Sequence, residues 1–339
     1  MIDNKLKDIL LISSPGDGGI ISLKEKKLSI ISMRATTGLA VDKNEIYWAY
    51  QDKGGRELRV IDKNQEKTIE ISKERLDLHD VFFSNNDVYV VITENNEIVK
   101  YNKNFDIINK WKLLGDADST HINSVAIYNG RLIASIFGRF KHHREYIKNT
   151  EGNGEVIDIE TNETLIRGLS QPHSLKVENG FLYLCNSEKN EVHIYKNMTL
   201  KNKIILPGYA RGLGVGNNYL YIGISLPRNI TRYNKGITSA NIAVVNKSTM
   251  QIERIIPIPF REIYDIVIIN NNNLDLLIEN EKNDNIFEYA RQRMEIGNNL
   301  IYCINKIESM ENSRSWRLTK PLRDSMYLYK KLKQKITGN

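Results

Sequence analysis

The sequence predicts an all-β chain folded as a single six-bladed β-propeller, closed by its own two ends and followed by a helical tail. Three observations predict it. A five-residue phrase recurs six times, a four-strand pattern follows nearly every recurrence, and the charge separates a neutral body from a basic tail.

The phrase is one variable residue, one small or acidic residue, then apolar, any, apolar. It reads Thr37-Gly38-Leu39-Ala40-Val41, His79-Asp80-Val81-Phe82-Phe83, Asn123-Ser124-Val125-Ala126-Ile127, His173-Ser174-Leu175-Lys176-Val177, Arg211-Gly212-Leu213-Gly214-Val215 and Tyr264-Asp265-Ile266-Val267-Ile268. The second positions are 42, 44, 50, 38 and 53 residues apart, the spacing of propeller blades. Turns rich in Asn, Asp and Gly follow, such as Tyr128-Asn129-Gly130 and Glu178-Asn179-Gly180; these residues tolerate positive φ. A β-rich run comes next (EIYWAY, DVYVVIT, RLIASIF, FLYLCNS, YLYIGIS), then a third and a fourth strand. Four strands per repeating unit select a propeller among the all-β architectures.

Three N-terminal strands, DILLISS, GGIISLK and LSIIS, precede the first phrase, and only LDLLIEN follows the sixth. The simplest closure has both ends sharing one blade, which removes free strand edges; a seventh blade made of the N-terminal strands is the alternative. The propeller is assigned to residues 1–283, a helical extension packed on it to 284–311, and a basic amphipathic tail to 312–339.

The chain carries a formal charge of +7, and residues 312–339 hold eight Lys/Arg against one acidic residue. The rest has 40 basic and 40 acidic side chains. A neutral body argues against a nucleic-acid reader, which needs clustered positive charge. No run of 18 apolar residues occurs, the N-terminus lacks the pattern of a secretory leader, and the cysteines Cys185 and Cys303 lack metal-type spacing. Free thiols and no leader predict a cytoplasmic protein. In the tail, Leu322, Met326, Tyr329, Leu332 and Ile336 recur at helical spacing among Lys330, Lys331, Lys333 and Lys335. Such a helix suits the inner face of a membrane or an acidic partner protein.

The segments Gln171–Tyr195 and Leu206–Arg228 carry a Pro-His-Ser phrase and an Arg-Gly-Leu phrase ending in a Pro-Arg loop. With Leu10–Leu23 and Ile263–Ile269 they resemble a bacterial family of conserved proteins of unknown function over roughly residues 8–280. That resemblance implies a propeller and supplies no activity. The segment SRSWRLTKPLR (Ser313–Arg323) resembles one found beside glycosyltransferases of cell-surface polysaccharide synthesis. It implies a cellular setting, while the chain has no Rossmann glycine pattern or nucleotide-sugar domain of its own.

In a propeller the phrase is the innermost strand, and its first residue stands at the mouth of the central channel. Thr37, His79, Asn123, His173, Arg211 and Tyr264 are therefore expected to form a ring, joined by Asp80 and Asp265 and by His121, two residues before Asn123. Polar groups converging from different blades make a binding site. Histidine and aspartate are also ligands for divalent metals, but a ring arginine opposes a cation, so no metal ligand is assigned and the cofactor is left open. As catalysts, His79 or His173 would act as general base with Asp80 or Asp265 orienting it. The plainer alternative is that these side chains satisfy backbone groups and bridge blades.

Two long loops, 138–154 and 225–241, are expected to overhang the ring. Arg139, Lys141, Arg144, Lys148, Arg228, Arg232 and Lys235 would give it a basic rim, suited to carboxylate or phosphate. The function expected is binding of an anionic saccharide, another small anionic ligand or a partner protein at the channel mouth, as an accessory to cell-surface glycan synthesis. The alternative is a hydrolase or lyase, metal-assisted or not, with its site in the channel.

Overall fold

The structure is a computed structural model. It describes residues 8–16, 18–25, 27–42, 45–63, 66–225, 240–279 and 318–319. Arg228 and the rest of the second long loop, Cys303, and the expected helical extension and basic tail, apart from 318–319, lie outside the described residues.

The described chain forms six four-stranded antiparallel sheets arranged as a propeller. The N-terminal strands β1 (Ile9–Ser13), β2 (Ile20–Lys24) and β3 (Lys27–Ser32) belong to the closing blade. The next two blades are β4 (Thr36–Val41), β5 (Ile46–Tyr50), β6 (Glu57–Ile61), β7 (Glu66–Glu70) and β8 (Leu78–Ser84), β9 (Asp87–Ile92), β10 (Glu97–Tyr101), β11 (Ile107–Lys112). Then come β12 (Ser124–Tyr128), β13 (Arg131–Ile136), β14 (Gly154–Asp158), β15 (Thr164–Leu169), and β16 (Pro172–Glu178), β17 (Phe181–Asn186), β18 (Glu191–Lys196), β19 (Thr199–Ile205). The last full blade is β20 (Tyr209–Val215), β21 (Tyr219–Ser225), β22 (Asn241–Asn246), β23 (Ile252–Pro257). Strand β24 (Asp265–Ile269) then pairs antiparallel with β1, with Leu11 opposite Val267. Both chain ends thus share one blade, and the ring closes where β24 meets β4.

The segment after the sixth phrase departs from strand. Asn271–Glu279 is an α-helix, α1. The Asn270 side chain accepts from the Asn273 amide at 2.9 Å and the Asn273 side chain accepts from the Asn270 amide at 3.2 Å, a reciprocal N-terminal cap. Leu274 and Leu277, three apart and therefore on one helical face, pack against Ile9, Leu11 and Trp48.

The apolar runs read as continuous because both faces of each blade are buried against neighbouring blades. In β1, Leu10 and Ile12 face the blade of β20–β23, whereas Ile9 and Leu11 face that of β4–β7. Outer strands are the reverse: β11 and β19 are largely exposed, and β19 carries Lys201, Asn202 and Lys203, which discourage edge-to-edge pairing.

The second position of the phrase is the stitch between blades. The Asp80 carboxylate accepts from the Val125 amide at 3.1 Å and the Ser124 hydroxyl at 2.9 Å on the next inner strand. Ser124 accepts from the Leu175 amide at 2.9 Å, Ser174 from the Gly212 amide at 3.1 Å, and Asp265 from the Leu39 amide at 3.4 Å. Where the position is Gly38, the neighbouring backbone comes too close for a side chain: a Cβ there would stand 2.6 Å from Asp80 Cα. A small residue or a hydrogen-bond acceptor is what each junction needs.

Candidate functional site

Four of the six inner strands carry a register shift at the first and second phrase positions: between Thr36 and Leu39, Leu78 and Asp80, His173 and Lys176, and Ala210 and Leu213. A bulge re-aims a side chain out of the sheet pattern. Here it turns His79, His173 and Arg211 toward the channel mouth. With His121 and Tyr264 they line a cup of about 790 Å³ whose wall also includes Asp77, Phe137, Arg144, Tyr146, Gln171 and Tyr209.

The wall is a chain of rings. His79 meets His121 edge to face at 4.9 Å and Tyr264 at 5.8 Å; His121 meets Phe137 at 4.2 Å and Tyr146 at 4.7 Å; Phe137 meets His173 at 5.1 Å. Arg211 lies over the Tyr264 ring at 3.9 Å, a cation–π arrangement.

The three imidazoles share one orientation device. His79 Nδ1 lies 3.0 Å from the Asp77 carbonyl, His173 Nδ1 2.9 Å from the Gln171 carbonyl, and His121 Nδ1 2.8 Å from the Asp118 carboxylate. Carbonyls and carboxylates only accept, so each Nδ1 carries a proton. Burial pushes His79 down to about 4, against the pull of Asp77, with His121 and Arg211 adding to the fall. Burial and Arg211 also hold His173 well below the usual histidine range. Both rings are therefore neutral acceptors at neutral pH.

Arg211 is 3 % exposed. Its Nη1 donates to Glu262 at 2.6 Å, while its Nε and Nη2 have no hydrogen-bond partner among the described residues. A buried guanidinium with unmet donors is costly unless a ligand completes it.

Asp118 is fully buried. It accepts from His121, from Arg144 Nε at 2.6 Å and from the Tyr146 hydroxyl at 2.8 Å. Burial would raise its pKa, yet these donors outweigh burial and hold the carboxyl at about 2. The backbone is left-handed at Asp77, Asp118, His121 and Gln171, with φ of 51°, 48°, 47° and 51°. Such conformations are strained for residues with a Cβ and concentrate at functional sites.

The remaining ring residues lie deeper. Asn123 donates to the His121 carbonyl at 3.0 Å and accepts from Ser135 at 2.9 Å, so it shapes the turn that presents His121. Thr37 is fully buried and donates to the Leu78 carbonyl at 2.6 Å. Asp80 and Asp265 border a small hollow of about 10 Å³ with Ser124, Ser174 and Lys176. Lys176 Nζ is 3.0 Å from Asp265. Burial pushes Asp80 up to about 7, although Lys176 pulls the other way. Neither aspartate hydrogen-bonds to a histidine among the described residues; the carboxylate that orients an imidazole is Asp118. Of the basic loop residues, Arg144 lines the cup, whereas Arg139 is held by Glu155 and Asn162. Cys185 is buried, and burial pushes its thiol up to about 12. Among the described residues no group of three or more His, Cys, Asp or Glu side chains is arranged to hold a metal ion. No described helix is long and apolar enough to cross a membrane.

Sequence reasoning reached His79, His121, His173, Arg211 and Tyr264 and missed Asp118, Lys176 and the aromatic wall. Asp118 had a signal, an acid three residues before His121. Lys176 had another, a charge at a phrase position that elsewhere holds Ala, Phe, Gly or Val.

Solved structures share the architecture at low identity. A protein of unknown function from Bacteroides caccae superposes with a TM-score of 0.59 at 12% identity, covering 78% of this chain and 99% of that one. A chain of a nidogen/laminin complex gives 0.54 at 12% identity, covering 77% and 97%. A streptogramin B lyase gives 0.44 at 14% identity, covering 66% and 68%. At these identities the first two likenesses speak for the fold alone. No curated protein matches the chain. A family profile described as "Domain of unknown function (DUF4915)" matches residues 20–277, and the chain belongs to that family.

Proposed function

We propose that this propeller binds a small, hydroxyl-rich anionic ligand, an acidic saccharide, in the cup at its channel mouth. The observation that carries the reading is the buried Arg211 edge, whose Nε and Nη2 are unmet among the described residues. A carboxylate would take both in a forked pair. Around it, the Nε2 atoms of His79 and His173 offer acceptors to hydroxyl groups, and the aromatic rings offer flat apolar faces to the C–H faces of a sugar. We place the protein as an accessory to cell-surface glycan assembly; support for that setting is the Ser313–Arg323 resemblance, and the basic tail suits a partner protein or an anionic membrane surface.

Titration calorimetry with glucuronate- and galacturonate-containing oligosaccharides, against their neutral glucose and galactose counterparts, tests the reading. Binding selective for the acidic series is expected. Arg211→Met should weaken it about 10- to 100-fold, the loss of one charge-assisted pair at roughly 1.5–3 kcal/mol. Equal binding of acidic and neutral sugars, or an unchanged Arg211→Met variant, overturns it.

A further inference from the structure

We infer that the cup is also a reaction centre. His121 is its proton-transfer residue, Asp118 is the positioning residue behind it, and the reaction class is elimination next to a carboxylate held by Arg211. This rests on the binding reading above and deepens it.

Three histidines line the cup, but only one is built as an acid–base group. His79 and His173 direct Nδ1 to backbone carbonyls, which fix a tautomer, and burial keeps both rings neutral, at His79 against the pull of Asp77. Among these three, His121 alone hydrogen-bonds a carboxylate, at 2.8 Å; the Asp77 carboxylate stands 3.5 Å from His79 Nδ1, whose hydrogen bond goes to the carbonyl. The Asp118 carboxylate is clamped by Arg144 and Tyr146, so the His121 ring cannot swing away from it. A carboxylate behind Nδ1 stabilises the imidazolium formed when Nε2 takes a proton. The left-handed backbone at both Asp118 and His121 is strain spent on holding this pair, the kind of cost that persists where geometry serves a site.

The reaction class follows from economy of groups. Hydrolysis of an acidic sugar ester would need one cation to anchor the carboxylate and separate donors for the oxyanion. Elimination needs one cation for both tasks, because the charge develops on the anchored carboxylate itself. Among the described residues that line the cup, Arg211 is the one whose guanidinium has a buried edge with unmet donors. Arg211 lies over the Tyr264 ring, Tyr264 meets His79 and His79 meets His121, so Arg211 and His121 line the same cup.

In the step, His121 Nε2 takes the proton from the carbon bearing the carboxylate. The C–H electron pair moves onto the carboxylate as an enediolate facing Arg211. It then forms the double bond to the β carbon as the β C–O bond breaks. The departing oxygen takes the proton back from His121. An unsaturated acid and a free hydroxyl result, and the step uses no oxidant, reductant or further reactant. The substrate class is an oligosaccharide with a 4-O-linked hexuronate.

The test uses the full chain with 4-O-linked galacturonate, glucuronate and mannuronate oligosaccharides, read by the ultraviolet absorbance of the conjugated acid. Exchange of the α proton in deuterated water is followed in parallel by NMR. Turnover or exchange is expected with at least one series. His121→Asn keeps a donor in the Nδ1 place and removes the basic nitrogen; it should still bind while the rate falls at least about 100-fold. Asp118→Asn should lower kcat, leave KM near its original value and displace the acid limb of the pH–rate profile, which a merely structural change would not do. Binding without turnover or exchange overturns the acid–base inference and leaves the binding reading standing. Absence of binding overturns both. Turnover that survives His121→Asn overturns the assignment of His121, and if that variant does not fold, an unmoved profile in Asp118→Asn overturns it equally.

Discussion

Lowering the pH from 7 to 5 should remove the stabilising contribution of a neutral, buried His79, and the size of that contribution can be worked out. The ring is 4 % exposed, with its Nδ1 proton committed to the Asp77 carbonyl. Its folded pKa is about 4 against about 6.5 when unfolded. The folded value is the lower one, so the unfolded chain takes up the proton first as pH falls. Stability is therefore lost through the window between 6.5 and 4. Integrated from pH 7 to pH 5, the loss is about 2 kcal/mol at 1.36 kcal/mol per pK unit. Asp80 acts in the opposite direction, because its pKa is raised to about 7 and its folded form gains protons over the same range. The two contributions are separated by comparing wild type with His79→Asn, whose amide can still donate to the Asp77 carbonyl and does not titrate. Urea unfolding at pH 7 and pH 5 should give wild type a change in stability about 2 kcal/mol less favourable than that of the variant. Equal pH dependence in the two proteins would refute the reasoning, since it would mean that the buried ring does not resist protonation.

Two further outcomes follow from the junctions between blades. Gly38→Ala should lower stability by roughly 1–3 kcal/mol, because the added methyl meets Asp80 and Val81 backbone at 2.6 Å and overpacking costs that much. Gly130→Ala, at φ +79° with nothing within 4 Å, should cost only the roughly 1–2 kcal/mol of a left-handed residue; thermal melts of the two variants, with the larger drop at Gly130, would count against the stitch. Lys176→Met should cost roughly 3–5 kcal/mol at pH 7, since it strips the cation from Asp80 and Asp265 in the channel. Part of that loss should return toward pH 5 as Asp80, whose folded pKa is raised, takes up its proton, and a deficit equal at both pH values in urea titrations would remove Asp80 from the account.

The blades were legible because their signal is local. Each recurrence sets a small or accepting residue at the junction, an apolar pair behind it and a turn that tolerates positive φ, and all of these sit within a dozen residues. Closure was legible for the same reason, since strands without a phrase at one end and a phrase with few strands at the other have one economical solution. The segment after Ile269 was not. Its apolar residues can be read with a period of two or of 3.6, and the choice fell to Asn270 and Asn273, whose reciprocal cap starts a helix.

The candidate site was half legible, and the division has a physical cause. A ring position can be counted along the chain, so the residues that point into the mouth by virtue of their strand were found: His79, His173, Arg211 and Tyr264. What gives a ring residue its chemistry is the group behind it, and here that group comes from a loop whose path no repeat dictates. Asp118 sits before the third inner strand, and its clamps Arg144 and Tyr146 arrive from the long loop between β13 and β14. Histidine with a carbonyl behind it is a neutral acceptor; histidine with a clamped carboxylate behind it can carry a proton in transit. The spacing of the phrases treats His79 and His173 alike and leaves His121 two residues outside the pattern. That displacement takes His121 away from the blade-to-blade stitch, to which the neighbouring phrase positions are committed. Of the three mouth histidines, the one outside the structural repeat is thereby the one most free to serve chemistry.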